Sequence, residues 1–331
     1  MSEPIRFAHL SDWHATTLVG GGRGLLRPKR LSGWASWALR RRHHHDPAVL
    51  RAAFRDLRAR GVRRVLVTGD LTHVSLPQEF RAARGHLAEL GEPEAVFLVP
   101  GNHDCYVPVP AAESWDEWAA YLRGQSRDTL APALAACVVD PPARDRAPRH
   151  ADYPTLRVEG RLAVVGLCSA VPTPIFRAGG RLGSAQLERL ERLLVELGRI
   201  GLCRVVLVHH PVIEAMEPPR RRLEDGAALR SVLERAGASL VLHGHKHRRR
   251  VGFLAGPDGP IPVIGVPSSS EVGSRPEKRA RYHVYTVEER KGDDAGSPSG
   301  RFRIAAEVRG YDAASGEFVA VDEPLVMHPA P

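Results

Sequence analysis

Five short polar blocks in the chain carry residue types that could do chemistry together: Asp12-Trp13-His14, Gly69-Asp70, Gly101-Asn102-His103-Asp104, His209-His210-Pro211 and Gly244-His245-Lys246-His247. Carboxylate, amide oxygen and imidazole suit borderline or hard divalent ions such as Mn, Fe, Zn or Co, and do not suit copper or iron–sulfur chemistry. Asp12, His14, Asp70, Asn102, His209, His245 and His247 are more ligands than one ion needs. With one of them shared they fill two ions, and a central carboxylate such as Asp70 can bridge. Two ions about 3.5–4 Å apart form the clamp used for in-line displacement at phosphorus. A lone buried histidine is usually a satisfied core residue, but five such blocks in series are hard to reach by accident.

The blocks need a scaffold that aims them at one point. Each follows a run that reads as a strand: residues 5–10, 64–68, 95–99, 204–209 and 240–243. Asp46 suits a helix N-cap, Pro47 the first helical position and Gly61 the stop, with Val49, Leu50, Ala53, Phe54 and Leu57 at helical spacing. Ser75-Leu76-Pro77-Gln78 reads as a capping box opening a helix that ends near Gly91. This β-α-β-α-β run implies a parallel sheet with its ligands at the carboxyl ends of the strands. Along a strand, residues i and i+2 face the same way, which would align Asp12 with His14 and His245 with His247. The second half adds a strand at 161–167 and helices at 184–197 and 225–236. Only β-like runs follow, at 249–254, 261–266, 281–287 and 302–309, with 289–300 as a polar hairpin tip. The economical reading is one domain with two packed sheets. Residues 1–270 form its core with a basic insert at 20–45, and 271–331 form a β-rich extension that completes the second sheet.

Composition bounds the answer without choosing it. The 331 residues are 43% hydrophobic and 26% charged, which excludes disorder, collagen and coiled coil as descriptions of the whole. No apolar run approaches a membrane span of about 18–20 residues, and residues 1–10 lack the features of an export signal. Cys105, Cys137, Cys168 and Cys203 lie roughly thirty residues apart with no C-x-x-C, against both zinc knuckles and a disulfide framework. A reduced, cytoplasmic protein is expected. The net charge of +9 favours anionic partners. Nucleic acid is disfavoured: there is no helix-turn-helix, zinc finger or aromatic-interleaved basic strand.

In their order, D-x-H, GD, GNHD, HHP and GHxH resemble the calcineurin-like metallophosphoesterase superfamily. The resemblance runs from Asp12 to His247 and does not cover residues past about 270. It implies an α/β fold, a four-layer α/β/β/α sandwich with two mixed β-sheets. It also implies two divalent metal ions, one on Asp12, His14 and His247, the other on Asn102, His209 and His245, with Asp70 bridging. The family's chemistry would be hydrolysis by a metal-bridging hydroxide, with His103 stabilising charge or protonating the leaving oxygen. Asp104 and His210 match positions that orient the ligands. GDLT, GNHD, HHP and the stretch from Gly180 to Leu187 are most similar to the class III cyclic-nucleotide phosphodiesterase and glycerophosphodiesterase branch. That similarity implies a cyclic nucleotide or small phosphodiester as substrate.

The insert departs from that branch. Residues 23–42 hold seven Lys/Arg and no acid, and Leu31, Trp34, Ala35 and Ala38 mark one helical face, with Trp37 and Leu39 beside it. Such a segment reads either as a helix packed on the body with solvated arginines, or as a lid or interfacial helix for an amphiphilic phosphoester. The UDP-diacylglucosamine pyrophosphohydrolases of the same superfamily are the model for the second reading, with peripheral membrane or lipid contact. Trp34 and Arg40 are its candidate substrate contacts. Arg220, Arg221 and Arg222, after the HHP block, are candidate phosphate contacts. His43 to His45 reads as a solvated helix end and not a third metal site. A non-catalytic scaffold is the remaining alternative, opposed by the complete ligand set.

Overall fold

The computed structural model describes residues 3–213, 217–273, 275–290, 301–322, 325 and 327. The chain runs β1 (Ile5–Leu10), α1 (Pro28–Ser36), α2 (Pro47–Ala59), β2 (Arg64–Val67), α3 (Pro77–Leu90) and β3 (Val96–Leu98). Short turns and the one-turn helices α4 (Ala119–Leu122) and α5 (Pro132–Ala135) lead to β4 (Thr155–Glu159) and β5 (Leu162–Gly166). Then come α6 (Ser184–Arg199), β6 (Cys203–Leu207), α7 (Gly226–Ala236), β7 (Leu240–His243), β8 (Arg250–Leu254) and β9 (Ile261–Gly265). Three strands close the chain: β10 (Arg281–Glu289), β11 (Phe302–Asp312) and β12 (Glu317–Val321).

The strands form two six-stranded sheets, ordered β12-β11-β10-β1-β2-β3 and β4-β5-β6-β7-β9-β8. β1, β2 and β3 are parallel, as are β5, β6, β7 and β9, while β4, β8 and the C-terminal strands pair antiparallel. Strand alternation divides the apolar residues between layers. Phe7, Leu66 and Phe97 share one core with Leu162, Val164, Val205 and Leu207, so the sheets pack face to face. Ala163, Val165, Val206 and Val241 join a second core with Leu190, Leu193 and Leu194 of α6 and Leu229 and Leu233 of α7. Val49, Ala53, Phe54 and Phe80 of α2 and α3 pack with the first sheet. The result is the expected α/β/β/α sandwich.

Local sequence logic accounts for the helix starts. At α2, Asp46 Oδ1 accepts the Ala48 N–H at 2.7 Å, with Pro47 as first helical residue. α3 corrects the expected cap. It starts behind Leu76, and the reach-back comes from Glu79, whose carboxylate accepts the Leu76, Val74 and His73 N–H groups at 3.0, 3.1 and 2.6 Å. Ser75 instead donates through Oγ to the His103 carbonyl at 2.7 Å, drawn away by the site loop. β4 and β12, two five-residue edge strands, were not anticipated.

The C-terminal extension joins the first sheet, not the second as expected. β2 occupies one edge of β1 and leaves the other open. β10 fills it in antiparallel register, with Tyr285 opposite Phe7 and the rings stacked at 5.2 Å. β8 closes the second sheet beside β9. β10 and β11 pair as a hairpin, and most of the expected tip, residues 291–300, lies outside the described residues. The four cysteines are free, and no helix among the described residues is long and apolar enough to cross a membrane.

Two ion pairs tie α2 to this extension, the exposed Arg55–Glu317 at 3.5 Å and the more enclosed Asp56–Arg309. Asp56 accepts Nε and Nη2 of Arg309 at 2.9 and 2.8 Å and also the Tyr282 hydroxyl. Removing one partner of a buried pair costs about 3–5 kcal/mol because it strands the other charge. Asp56→Ala is therefore expected to lower unfolding stability by about 3 kcal/mol in urea titration. A loss under about 1 kcal/mol would show that the pair does not anchor the extension.

Candidate metal centre

All five polar blocks sit just past strand ends, after β1, β2, β3, β6 and β7. The first three blocks come from one sheet and the last two from the other. The pleat argument for the i, i+2 pairs does not hold, because these residues lie beyond the strands in tight turns. Asp12, His14, Asp70, His245 and His247 all have left-handed backbones, with φ of 52, 43, 57, 70 and 50°. Non-glycine residues rarely adopt that region, and where they do the strain clusters at functional sites. The loops also approach too closely for side chains at their glycines: a Cβ on Gly69 would fall 2.7 Å from the Gly101 Cα.

The side chains converge in two groups. In one, Asp12 Oδ1 lies 3.4 Å from His247 Nε2, and ligand atoms of Asp12, His14 and His247 lie within 4.8 Å of one another. In the other, His209 Nε2 faces Asn102 Oδ1 at 3.1 Å, His245 Nδ1 at 3.2 Å and Asp70 Oδ2 at 3.3 Å. His245 Nδ1 lies 2.8 Å from Asn102 Oδ1. The same Asp70 oxygen is 3.7 Å from His14 Nε2, which places it between the groups.

These contacts are hard to explain as hydrogen bonds alone. His14 and His209 direct Nδ1 at the carbonyls of Thr72 and Thr68, at 2.7 and 2.6 Å, and must donate there. In the neutral ring that leaves each Nε2 as a lone pair among other acceptors. Donor atoms bound to one ion at about 2.0–2.2 Å lie about 3.0–3.4 Å apart, the spacing observed here. The residues fit divalent ions. Protonation of two of the rings would meet the same demand for positive charge. Burial opposes charge on His209 and His247, yet Asp70 lifts the first to about 9, and Asp12, with Glu271, lifts the second to about 10. Burial keeps His14 and His245 well below the usual histidine range. The pit is built to hold positive charge.

The supporting residues have definite partners. The Asp104 carboxylate accepts N–H groups from Asp70, Leu71, Thr72 and Gly101 at 2.8–3.0 Å, binding the GD and GNHD loops together. Burial, then the nearby Asp70 charge, pushes its pKa up to about 7. His103 donates its backbone N–H to Asp70 Oδ1 at 2.7 Å and sets Nδ1 2.5 Å from the His73 carbonyl. Its ring stacks on Tyr106 at 5.5 Å. His210 lies behind the centre, with Nδ1 2.8 Å from Ser169 Oγ and its ring 4.7 Å from that of His245.

Several neighbours were invisible in the sequence. Glu271 lies 3.6 Å from His247 Nδ1 and Glu217 lies 3.7 Å from His245 Nε2, so each GHxH histidine has a carboxylate at its other nitrogen. Single acids carry no motif, and no signal could have found them. His45 overturns the reading of 43–45 as a solvated end. His43 and His44 are exposed, but the His45 ring packs 4.9 Å from His14 and 5.4 Å from His247.

The insert differs from its expected register. α1 buries Lys29, Arg30 and Gly33, while Leu31 and Trp34 are 43% and 41% exposed. Trp34 and Arg40 are solvent-exposed; Trp37 and Arg41 turn inward instead, with the Trp37 ring 6.1 Å from that of His73. Arg220 and Arg221 are exposed and Arg222 half-buried, in a loop whose Arg220 and Arg222 carbonyls accept the Ala178 and Gly180 N–H groups. A cavity of about 600 Å³ opens elsewhere, between the sheets at Phe7, Leu66, Phe97 and Arg157, and no ligand residue lines it.

Comparisons with known proteins bear on this arrangement. No curated protein matches the chain in sequence. A purple acid phosphatase, PPD1 from yellow lupin (Lupinus luteus) seeds, is 13% identical with a TM-score of 0.53, covering 97% of this chain and 53% of its own. That likeness shows the shared fold. A 5′-nucleotidase precursor from Thermus thermophilus is 18% identical with a TM-score of 0.48, covering 92% of this chain and 54% of its own. The chain thus spans about half the length of these proteins. The calcineurin-like phosphoesterase model matches residues 5–249, a span that contains all five polar blocks. The chain belongs to the calcineurin-like phosphoesterase family, hydrolases of phosphoric esters.

Proposed function

We propose that the protein is a di-metal phosphodiesterase. Asp12, His14 and His247 hold one divalent ion, Asn102, His209 and His245 hold the other, and Asp70 is shared. The observation that carries this reading is the cluster of mutually facing acceptor atoms around His209 Nε2, at 3.1–3.3 Å. Mn, Fe, Zn and Co all suit the donor set. When bound, such ions polarise a phosphoryl oxygen and lower the pKa of water toward neutrality.

The remaining roles fall to the chain's own groups. His103 is fixed by its Nδ1 contact with the His73 carbonyl; in its protonated form the ring would present Nε2–H to the leaving oxygen, a charge that burial opposes and Asp70 favours. Asp70 accepts the His103 N–H and so couples the proton donor to the ligand cluster. Asp104 and His210 orient the loops and rings around them. The similarity of GDLT, GNHD and HHP to the cyclic-nucleotide branch supports a cyclic nucleotide or small phosphodiester as substrate.

A second reading, contact with a lipid surface, is favoured by the inverted α1. Surface helices normally bury apolar residues and expose basic ones. Here Lys29 Nζ is tied to Thr173 at 2.7 Å and Arg30 to the Val74 carbonyl at 3.0 Å, while Leu31, Trp34 and the 82% exposed Leu39 face solvent. The same Lys29 contact ties α1 to the loop carrying Phe176, which is 79% exposed at a φ of 63°. Exposed Arg40 and Arg42 complement an anionic bilayer.

Two expectations follow. Mn-loaded protein should hydrolyse bis-p-nitrophenyl phosphate faster than p-nitrophenyl phosphate, chelation should abolish turnover, and His103→Ala should lower kcat by about 10²–10⁴-fold. Turnover that survives full chelation would remove the di-metal reading. In vesicle sedimentation, burying a Leu or Trp side chain is worth about 1.5–3 kcal/mol, so the double change Leu31→Ser and Trp34→Ser should weaken binding to phosphatidylglycerol vesicles at least about tenfold. Equal binding by both proteins would end the lipid reading.

A further inference from the structure

The cavity between the sheets lies at the far end of the strands from the metal centre. Its lining includes Arg64 at the start of β2, Ala95 just before β3 and Leu162 at the start of β5, whereas the polar blocks follow the opposite strand ends. Its volume is about 600 Å³. Protein cores seldom keep voids larger than a water molecule, and cavities of roughly 300–1,000 Å³ are the usual size of small-molecule sites. The floor is apolar, formed by Phe7, Leu66 and Phe97 from the first sheet and Leu162 and Val164 from the second. The walls are braced. The Gln125 N–H donates to the Leu156 carbonyl at 2.8 Å, and its side-chain amide accepts the Val158 N–H at 2.9 Å and donates to the Val158 carbonyl at 3.1 Å, which extends the edge of β4. The Arg157 guanidinium donates to the carbonyls of Pro93, Val96, Ala120, Tyr121 and Arg123 at 2.6–3.3 Å and lies 4.4 Å over the Phe97 ring.

The rim is cationic. Arg64 pairs with Glu159 from the first sheet to the second. Among the described residues that line the cavity, this leaves Arg123, Arg144 and Arg157 against one acid, Glu94. Arg123, like Arg157, donates to carbonyls, those of Pro142 and Ala143. Carbonyls satisfy the hydrogen bonds of a guanidinium but leave its charge uncompensated. We propose that this cavity is a second binding site, apart from the metal centre, for an organic anion with an apolar chain and one acidic group, such as a medium-chain carboxylate. The chain lies between the sheets and the acidic group meets the arginine rim. A sugar or nucleotide fits poorly, because the N–H groups of Arg157 and the amide of Gln125 are already committed to the backbone. The proposal is independent of the phosphodiesterase reading, since none of the proposed metal ligands lines the cavity.

Isothermal titration calorimetry of the full chain with decanoate, kept below its micelle concentration, tests the site. Saturable one-to-one binding is expected with a Kd below about 1 mM, and decyltrimethylammonium, with the same chain and the opposite charge, should bind at least about tenfold more weakly. Val158→Trp places a large ring at a half-buried position of the lining, and Arg144→Glu reverses a charge at an exposed one. Each should weaken decanoate binding at least about tenfold. Both variants are checked for wild-type circular dichroism, and either one that folds decides the question alone. The double change Leu31→Ser and Trp34→Ser, on the exposed face of α1, should leave decanoate binding unchanged. No saturable binding, equal binding of the two amphiphiles, or a folded Val158→Trp or Arg144→Glu protein that binds decanoate like the wild type would overturn the proposal. Loss of binding in the double variant would overturn it too, by assigning the decanoate to α1.

Discussion

A single buried carboxylate, that of Asp104, holds the catalytic loops in a shape their residues would not choose. It accepts four backbone N–H groups, including that of Asp70, whose own backbone is left-handed at φ 57°. A left-handed residue costs about 1–2 kcal/mol, and a hydrogen bond to a charged group contributes about 1.5–3 kcal/mol. Several such bonds to one oxygen pair outweigh the strain at Asp70. The Asp12 carboxylate repeats the device by accepting the N–H of left-handed His245 at 3.0 Å. The strain is thus sustained by the site's own acids, and loss of either would release more than one ligand at once.

The centre also depends on the contact between the sheets. Asp12, His14, Asp70 and Asn102 follow strands of the first sheet, and His209, His245 and His247 follow strands of the second. Neither half can assemble the proposed ligand set alone. The separation is fixed by Phe7, Leu66 and Phe97 packing against Leu162, Val205 and Leu207. Loop bonds then set the fine registration, as where the His209 carbonyl accepts the Gly244 N–H at 3.1 Å and the Thr68 carbonyl takes His209 Nδ1 at 2.6 Å. An ion held across this seam would add its binding energy to the docking of one sheet on the other.

What was legible in the sequence is what local chemistry encodes. The blocks could be read because each follows a strand, and glycine is required where Gly69 and Gly101 pass too closely for a side chain. The helix start at Asp46-Pro47 could be read for the same reason. Legibility failed where distant partners decide. Nothing near 281–289 tells which sheet edge is open, so the extension was placed in the wrong sheet. Glu79 rather than Ser75 closes the α3 start because Ser75 is claimed by a carbonyl in another loop. Glu217 and Glu271 reach their histidines only through tertiary folding.

The insert was misjudged for a more instructive reason. An amphipathic pattern is ordinarily read with its apolar face inward, because water rewards exposed charge. That logic fails when the body beneath the helix presents carbonyls. Arg30 is buried against the Val74 and Gly24 carbonyls and Lys29 against Thr173, so the basic side finds hydrogen-bond acceptors when it faces the protein. Burial holds Lys29 down to about 8, the remaining cost of that choice. Once Lys29 and Arg30 are committed inward, helical geometry sends Leu31 and Trp34 outward, and the π-helical turn at Trp37–Arg41 brings the Trp37 ring against His73. α1 therefore turns its basic side chains to carbonyls of the body and its apolar ones to the surroundings, the reverse of an ordinary surface helix and the arrangement a helix needs if its outer face is to meet an apolar partner.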